Sequence, residues 1–374
     1  MEQEKTLQID ALLASGRQEG VYPGAVLLVS QGADIVYFDS IGWRRLWPDP
    51  LPMETGTLFD LASLTKPLAT TLAMMKLVDV GKISLDQPIE ALLRQTVPED
   101  KKRITSRQLL SHSAGFVDWA PFYLKLEPAP AEKRKSLLRN QLLTCPLAYL
   151  PGTKMMYSDL GFMLLEWIIE VVAEAAPSRF IEETFYRPMS LEDAGFFSNH
   201  LSGRFSADRF AATEDCPWRK GIIQGAVHDE NAWAIGGYCG HAGLFGNAKA
   251  VHALANLLGK HWRGERNDYL GPKTVRTFFA RQDRVKGSTW ALGWDTPSSE
   301  NSSAGKSFSR NSVGHLGYTG TSIWMDLKQD VTVIFLTNRI HPARNNEKIR
   351  TLRPLLHDRV MKMLHLSHSY PSIS

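Results

Sequence analysis

The sequence predicts an α/β fold: an antiparallel sheet built from both ends of the chain and flanked by helices, with a mostly helical lobe inserted between. Three observations carry this. Runs rich in β-branched and aromatic residues occur near the start and again near the end. The stretch between them is dominated by apolar residues at spacings of three and four. The strand-like runs follow one another through short turns, which favours antiparallel pairing.

The opening residues MEQEKTLQIDALLASG read as a charged amphipathic helix. GAVLLVSQGADIVYFDSIG reads as two strands joined by a tight Gly-Ala-Asp turn. A Pro-rich loop leads to FDLASLTKPLAT, residues 59–70, and a helix that begins at Ser63 or Leu64 and stops at Gly81. Pro67 has no backbone N–H, so it belongs in the first turn, where N–H groups lack partners anyway. Helices are expected in RITSRQLLSHSAGF, AEKRKSLLRNQLLTCP and DLGFMLLEWIIEVVAEAA, all within residues 82–200. A Gly- and aromatic-rich segment, HDENAWAIGGYCGHAGLFG, and the helix AKAVHALANLLGKHW follow. Strands return in TWALGWDT, SVGHLGYTG, TSIWMDLK and DVTVIFLTNR, and NEKIRTLRPLLHDRVMKMLH closes the chain as a helix. On this reading residues 1–80 and 240–374 form the α/β lobe, residues 81–239 form the helical lobe, and a site sits at the seam.

A chain of 374 residues exceeds what one compact core usually supports, in keeping with two lobes. A net charge of +4 is too mild over that length to indicate nucleic acid, and no basic run carries interleaved aromatics. The longest apolar stretch contains Glu166 and Glu170 and is too short to span a bilayer. The first residues lack the apolar core of a signal peptide, so a soluble, cytoplasmic protein is expected. Cys145, Cys216 and Cys239 are too few and too scattered for a disulfide framework. The spacing of Cys216, His228, Cys239 and His241 matches no compact zinc pattern, so neither a metal nor a cofactor is expected.

Ser63 and Lys66 lie one turn apart at a helix mouth. A serine hydroxyl is a weak nucleophile until a neighbouring base takes its proton. Lowering a lysine from ~10.4 to near 7 needs roughly 4–5 kcal/mol of bias against its charge. A helix N-terminus supplies only about 0.3–1 kcal/mol, up to ~2, so burial and a second partner must supply the rest. The same tetrad recurs at Ser303 and Lys306, but there it lies in a polar Ser/Asn/Gly loop. Taken singly, Tyr157 in MMYSDLGF reads as a packed tyrosine before a helix capped by Asp159 or Ser158. Taken singly, His315 in GHLGYTGTS reads as a structural histidine, on a strand whose glycines allow another group to come close.

Together, Ser63-x-x-Lys66, Tyr157-x-Asp159 and His315-x-Gly317 occur in that order. In this the chain resembles the serine β-lactamase and penicillin-binding protein superfamily, on its class C side, a group that also includes DD-peptidases and β-lactamase-like esterases. The resemblance covers nearly the whole chain and takes in the hairpin, QLLSHSAG, LPGTKMMYSDLGF and the closing strands and helix. It implies a β-lactamase/transpeptidase-like fold, acylation of Ser63, and proton transfer shared by Lys66 and Tyr157, with the base unassigned between them. It also implies an oxyanion hole from the backbone N–H groups of Ser63 and Tyr318, with Asp159 orienting Lys66 or a substrate amide.

The class C pattern carries Tyr-x-Asn and Lys-Thr-Gly, where this chain has Tyr-Ser-Asp and His-Leu-Gly. A permanent cation becomes an imidazole at His315, and a hydroxyl becomes Leu316. Both ordinarily help bind a substrate carboxylate, and Asp159 adds a negative charge nearby, so an anionic substrate is less well served. Thr319, Thr321 and Arg339 are the candidates to compensate. VHDENAWAIGGYCGHAGLFG resembles a subgroup of β-lactamase-like hydrolases, some associated with cell-wall metabolism. Its His228, Asp229 and His241 are either cleft-lining residues or parts of a buried hydrogen-bonded loop. The expectation is a serine hydrolase of small acyl esters with weak β-lactam turnover. The alternatives are a penicillin-binding DD-peptidase or D-amino-acid amidase, and a sensor that deacylates slowly.

Overall fold

The structure, a computed structural model, describes residues 2–196 and 205–364. Its centre is a six-stranded antiparallel sheet in the order Leu51–Pro52, Asp34–Arg45, Gly24–Gln31, Val331–Thr337, Ser322–Asp326, Ser312–Leu316. Three strands come from the start of the chain and three from the end. They meet where Ala25 lies opposite Thr337 and Leu28 opposite Ile334. Both of these central strands are buried almost throughout, so their side chains alternate between two cores. Leu27, Val29, Val333 and Phe335 pack with Ile9, Leu13, Leu356 and Val360 of the terminal helices Glu2–Gln18 and Ile349–Met363. Val26, Leu28, Ile334 and Leu336 face the opposite way, into a larger core.

That larger core is continuous from the sheet into the helical middle. It contains Leu64, Leu68 and Leu72, which follow Ser63, and Phe162, Leu165 and Ile169 of the helix Asp159–Ala173. Each such side chain contributes roughly 1.5–3 kcal/mol by leaving water. The Ser63 segment is therefore gripped from both sides. Among the described residues no helix is long and apolar enough to cross a membrane.

Four details differ from expectation. The Ser63 helix is not uniform: a 3₁₀ turn spans Ala62–Leu64, a wide π turn spans Lys66–Thr71, and only Leu72–Asp79 is α-helical. Wide turns of this kind recur at functional sites, because they redirect side chains by a fraction of a turn. TWALGWDT forms no regular strand, only bridges from Asp295 to Trp290 and Gly314. Gly293 bends it with φ +74°, where a Cβ would lie 1.9 Å from Thr71 Oγ1. The middle, expected to be mostly helical, also holds an unanticipated strand: Ala194–Phe196 pairs with Leu244–Gly246, which also pairs with Phe59–Asp60. A helix at Pro272–Phe279, with proline at its start, was not anticipated.

Candidate active site

Ser63 is held in a strained turn by four hydrogen bonds. The Asp60 carboxylate accepts the N–H groups of Ala62 at 2.9 Å and His228 at 2.7 Å. The Thr65 hydroxyl donates to the Ala62 carbonyl at 2.6 Å and accepts the Leu244 N–H at 3.1 Å. These bonds keep Ala62 at φ +47°, a left-handed conformation that costs a residue with a Cβ about 1–2 kcal/mol. The turn presents Ser63 to a cleft of about 750 Å³.

Lys66 is fully buried beside it. Its Nζ lies 2.9 Å from Ser63 Oγ, 3.3 Å from the His241 carbonyl and 2.6 Å from Asp159 Oδ1. The Tyr157 hydroxyl interacts with both Ser63 and Lys66, and its ring centroid is 4.8 Å from Nζ. Burial opposes the charge on Lys66, but Asp159 and Tyr157 outweigh it and raise the lysine above its ordinary value. Burial also raises the Tyr157 phenol; Lys66 pulls it down and Asp159 pushes it up. The expected fall in the lysine pKa is therefore not found, and the carboxylate at Asp159 is the reason. At rest the group holds an ammonium and a neutral phenol, one proton more than a base requires, and it titrates as a unit.

This fixes a pH prediction. Asp159 raises both Lys66 and Tyr157, so Asp159→Asn lowers both. The acidic limb of kcat/KM for a neutral ester then moves to lower pH, by about one unit or more. A pH–rate profile whose limb stays in place or moves up contradicts this.

Two histidines face the same group. Burial first and Lys66 second depress His315 to about 3, so it is a neutral imidazole. Its Nδ1–H donates to the Leu316 carbonyl at 2.9 Å, which leaves the Nε2 lone pair without a partner among the described residues. His112 is also held neutral by burial and then by Lys66. It staples the loop that carries Tyr157: its Nδ1 accepts the Ser158 N–H at 3.0 Å and its carbonyl accepts the Met156 N–H at 2.9 Å. Ser158, not Asp159, caps the following helix, accepting the Gly161 N–H at 3.3 Å. Asp159 is thereby left for Lys66.

Two hydrogen bonds staple the first motif to the third, beside the N–H groups expected as oxyanion donors. The Thr319 hydroxyl donates to the Asp60 carbonyl at 2.7 Å, and the Thr321 hydroxyl to the Leu61 carbonyl at 3.1 Å. Both threonines are buried, so they support the site and cannot reach a substrate carboxylate. The Ser63 N–H precedes any acceptor in its own turn, and no bond from the Tyr318 N–H is found among the described residues. Gly317 is needed because a Cβ there would lie 2.0 Å from Thr321 Oγ1 and 2.6 Å from the Leu61 carbonyl. Gly317→Ala is expected to cut kcat by roughly 10–100-fold with little change in KM, as a displaced oxyanion donor does. Steady-state kinetics showing the loss confined to KM would contradict this.

The remaining candidates also line the cleft. His241 Nε2 pairs with Asp229 Oδ1 at 2.9 Å. Burial opposes the imidazolium, yet Asp229 raises His241 well above its usual value. Asp229 also caps a short helix, accepting the Ala232 N–H at 2.7 Å. His228 Nε2 lies 3.1 Å from Glu214 and its ring stacks on Tyr318. These three residues are thus both cleft-lining and hydrogen-bonded. Ligand-type atoms of Asp159, Asp229 and His241 lie within 4.8 Å of one another, but Lys66 and the His241 imidazolium already neutralise the two carboxylates. Arg339 lines the cleft beside Tyr318, with its guanidinium 5.1 Å from that ring. Sequence reasoning missed Trp290, which packs on His112 and Tyr157, and Arg353.

Comparison with known proteins agrees with this geometry. The family described as Beta-lactamase matches residues 9–357. The chain is 32% identical to an N-acetylmuramyl-L-alanine amidase of Bacillus subtilis (strain 168), over 90% of this chain and 82% of that protein. It is also 32% identical to a protein of Escherichia coli (strain K12) named D-alanyl-D-alanine carboxypeptidase, over 92% of this chain and 85% of that one. In structure it is similar to EstCE1, described as a hydrolase with promiscuous acyltransferase activity, with a TM-score of 0.73, 22% identity, and coverage of 96% of this chain and 99% of that one. With the match spanning nearly its whole length and the serine, lysine and tyrosine gathered at one cleft, the chain belongs to the Beta-lactamase family of serine hydrolases.

Proposed function

We propose that Ser63 forms an acyl-enzyme with small carboxylic esters and amides and that β-lactams are poor substrates. The observation that carries this is the contact of a buried Lys66 with both Ser63 Oγ and Asp159, at 2.9 Å and 2.6 Å. When the Lys66–Tyr157 group has lost one proton, Ser63 Oγ–H passes its proton to it. Ser63 Oγ then bonds to the substrate carbonyl carbon, and the oxyanion points at the N–H groups of Ser63 and Tyr318. The bond to the leaving group breaks as the group returns the proton to it. Water deacylates Ser63 by the same route in reverse, releasing the acid.

A neutral His315 and an apolar Leu316 offer no fixed charge where a β-lactam carboxylate is commonly held, which places ester efficiency above that of nitrocefin. A nitrocefin kcat/KM equal to that of the best ester would overturn this order. A second reading, an amidase or DD-peptidase acting on cell-wall fragments, is favoured by the names of the two relatives at 32% identity.

Intact-protein mass spectrometry after mixing with a p-nitrophenyl ester or a penicillin tests the proposal. A transient ester adduct that maps to the Ser63 peptide, with p-nitrophenol release, is expected. A penicillin adduct that persists without turnover indicates the slowly deacylating sensor instead. No adduct and no hydrolysis with either refutes the proposal.

A further inference from the structure

We propose that His241 is a positioning residue of the Ser63 reaction: with Asp229 it forms a second ion pair that shares Asp159 with Lys66 and offsets negative charge beside the group that must give up a proton. This rests on the hydrolase reading and deepens it. It also gives a task to the segment VHDENAWAIGGYCGHAGLFG, which the steps assigned to Ser63, Lys66 and Tyr157 leave unused.

The segment is wedged between the two elements that carry Lys66 and Asp159. On one side Gly240 abuts the helix Asp159–Ala173, where a Cβ would lie 2.1 Å from the Phe162 carbonyl and 2.7 Å from Glu166 Cβ. On the other, the Thr70 hydroxyl of the Lys66–Thr71 turn donates to the Gly240 carbonyl at 2.6 Å. His241 is thereby delivered against Lys66 and Asp159 at once. Its carbonyl accepts Lys66 Nζ at 3.3 Å. A ring nitrogen of His241 and one carboxylate oxygen from each of Asp159 and Asp229 lie within 4.8 Å of one another.

Two cations and two carboxylates thus share the cleft floor. Lys66 Nζ is 2.6 Å from Asp159, and His241 Nε2 is 2.9 Å from Asp229. The His241 side chain is 1% exposed, so water screens its charge little. Burial opposes that charge, and Asp229, Cys239 and Asp159 favour it. Burial pushes the Cys239 thiol up, which leaves the two carboxylates to hold the imidazolium. Glu166 faces Cys239 from the helix and is itself paired with Lys135 at 2.9 Å. His228, Arg219 and Asp60 face Asp229 from the other side. Arg219 is spent on backbone carbonyls, those of Val227 and His228 among them, and Asp60 on the N–H groups of Ala62 and His228. Among the described residues His241 is the one cation bonded to the Asp229 carboxylate.

The charges decide how readily the reaction starts. At rest Lys66 and Asp159 cancel. Once the Lys66–Tyr157 group releases its extra proton to solvent, a net negative charge remains in a buried place. A neutral second pair adds nothing to that burden. Without the imidazolium, Asp229 places another anion beside Asp159, and the proton is held more tightly.

Profiles of kcat/KM against pH for a neutral p-nitrophenyl ester test this on the full chain. His241→Gln removes the cation and keeps an N–H to face Asp229. Its acidic limb is expected to move up by about one unit. His241→Gln/Asp229→Asn removes both charges, and asparagine keeps an oxygen for the Ala232 N–H. The limb of the double variant is expected to return to within about half a unit of wild type. The plateau falls less than about tenfold in both variants. An unmoved limb in His241→Gln, or a shift that persists in the double variant, overturns the proposal. So does an equal loss of rate at every pH, which is what a merely structural role gives.

Nitrogen NMR of isotope-labelled histidine separates this proposal from the hydrolase reading, because it needs no turnover and uses folded wild type. The His241 signals are assigned by their absence in His241→Gln. Both ring nitrogens are expected to carry protons up to about pH 8, and the ring to lose its proton at lower pH in Asp159→Asn. A ring that is neutral at about pH 7 in wild type, or a titration unchanged in Asp159→Asn, overturns the proposal even where esters are cleaved.

Discussion

Replacing Ser63 with alanine is expected to lower kcat/KM for p-nitrophenyl esters by at least ~10⁴-fold and to abolish the covalent adduct, without altering the fold. The hydroxyl makes one bond from Lys66 and interacts with Tyr157. Its loss leaves no buried charge unpaired, because Asp159 and the His241 carbonyl still hold Lys66. The thermal midpoint therefore stays within a few degrees of wild type. What remains is a cleft with an intact oxyanion hole and substrate contacts, which alone give slow hydrolysis over water. Stopped-flow release of p-nitrophenol checks this directly. A burst that survives in the variant would place the nucleophile elsewhere.

Lys66→Met is expected to damage the chemistry somewhat less, roughly 10³–10⁴-fold, but to destabilise the protein as well. Methionine fills the volume but removes the cation that holds Asp159 at 2.6 Å. Breaking one side of a buried pair costs more than replacing both sides. The double variant Lys66→Met/Asp159→Asn is thus expected to recover most of the lost stability and none of the activity. Lys66 also depresses His315 and His112, so both imidazoles move up towards their ordinary value once it is gone. Thermal melts of the two variants, with histidine titration by NMR, check all three statements. A double variant no more stable than Lys66→Met would show that the ion pair contributes little.

The parts of the site that were legible in the sequence are those fixed by local spacing. Ser63 and Lys66 share a turn, Pro67 marks its first residues, and glycine at 317 signals close approach. Pairing partners far along the chain were not legible. Asp159 could be read as a cap or as an orienting group, and only the 2.6 Å contact shows that it keeps Lys66 charged. The run TWALGWDT has the composition of a strand, but it bends at Gly293, and Trp290 lines the cleft. Arg353 left a trace that reasoning by motif passes over. It lies on the apolar face of its helix with Ile349, Leu352, Leu356 and Val360, where an arginine needs an explanation.

The pairing of Gly24–Gln31 with Val331–Thr337 has a consequence for biosynthesis. The second strand of the chain's first pair, Asp34–Arg45, is available at once, whereas the other neighbour of Gly24–Gln31 is translated about three hundred residues later. At roughly 5–20 residues per second the ribosome needs on the order of tens of seconds to deliver it. Until then the early hairpin has an unpaired edge, and Tyr318, whose N–H we propose as an oxyanion donor, has not emerged from the tunnel. Nascent chains are therefore catalytically silent, and a chain cut short anywhere before the last strands exposes an apolar sheet edge that invites aggregation or degradation. Only complete synthesis produces a working hydrolase, so the topology itself restricts activity to finished molecules.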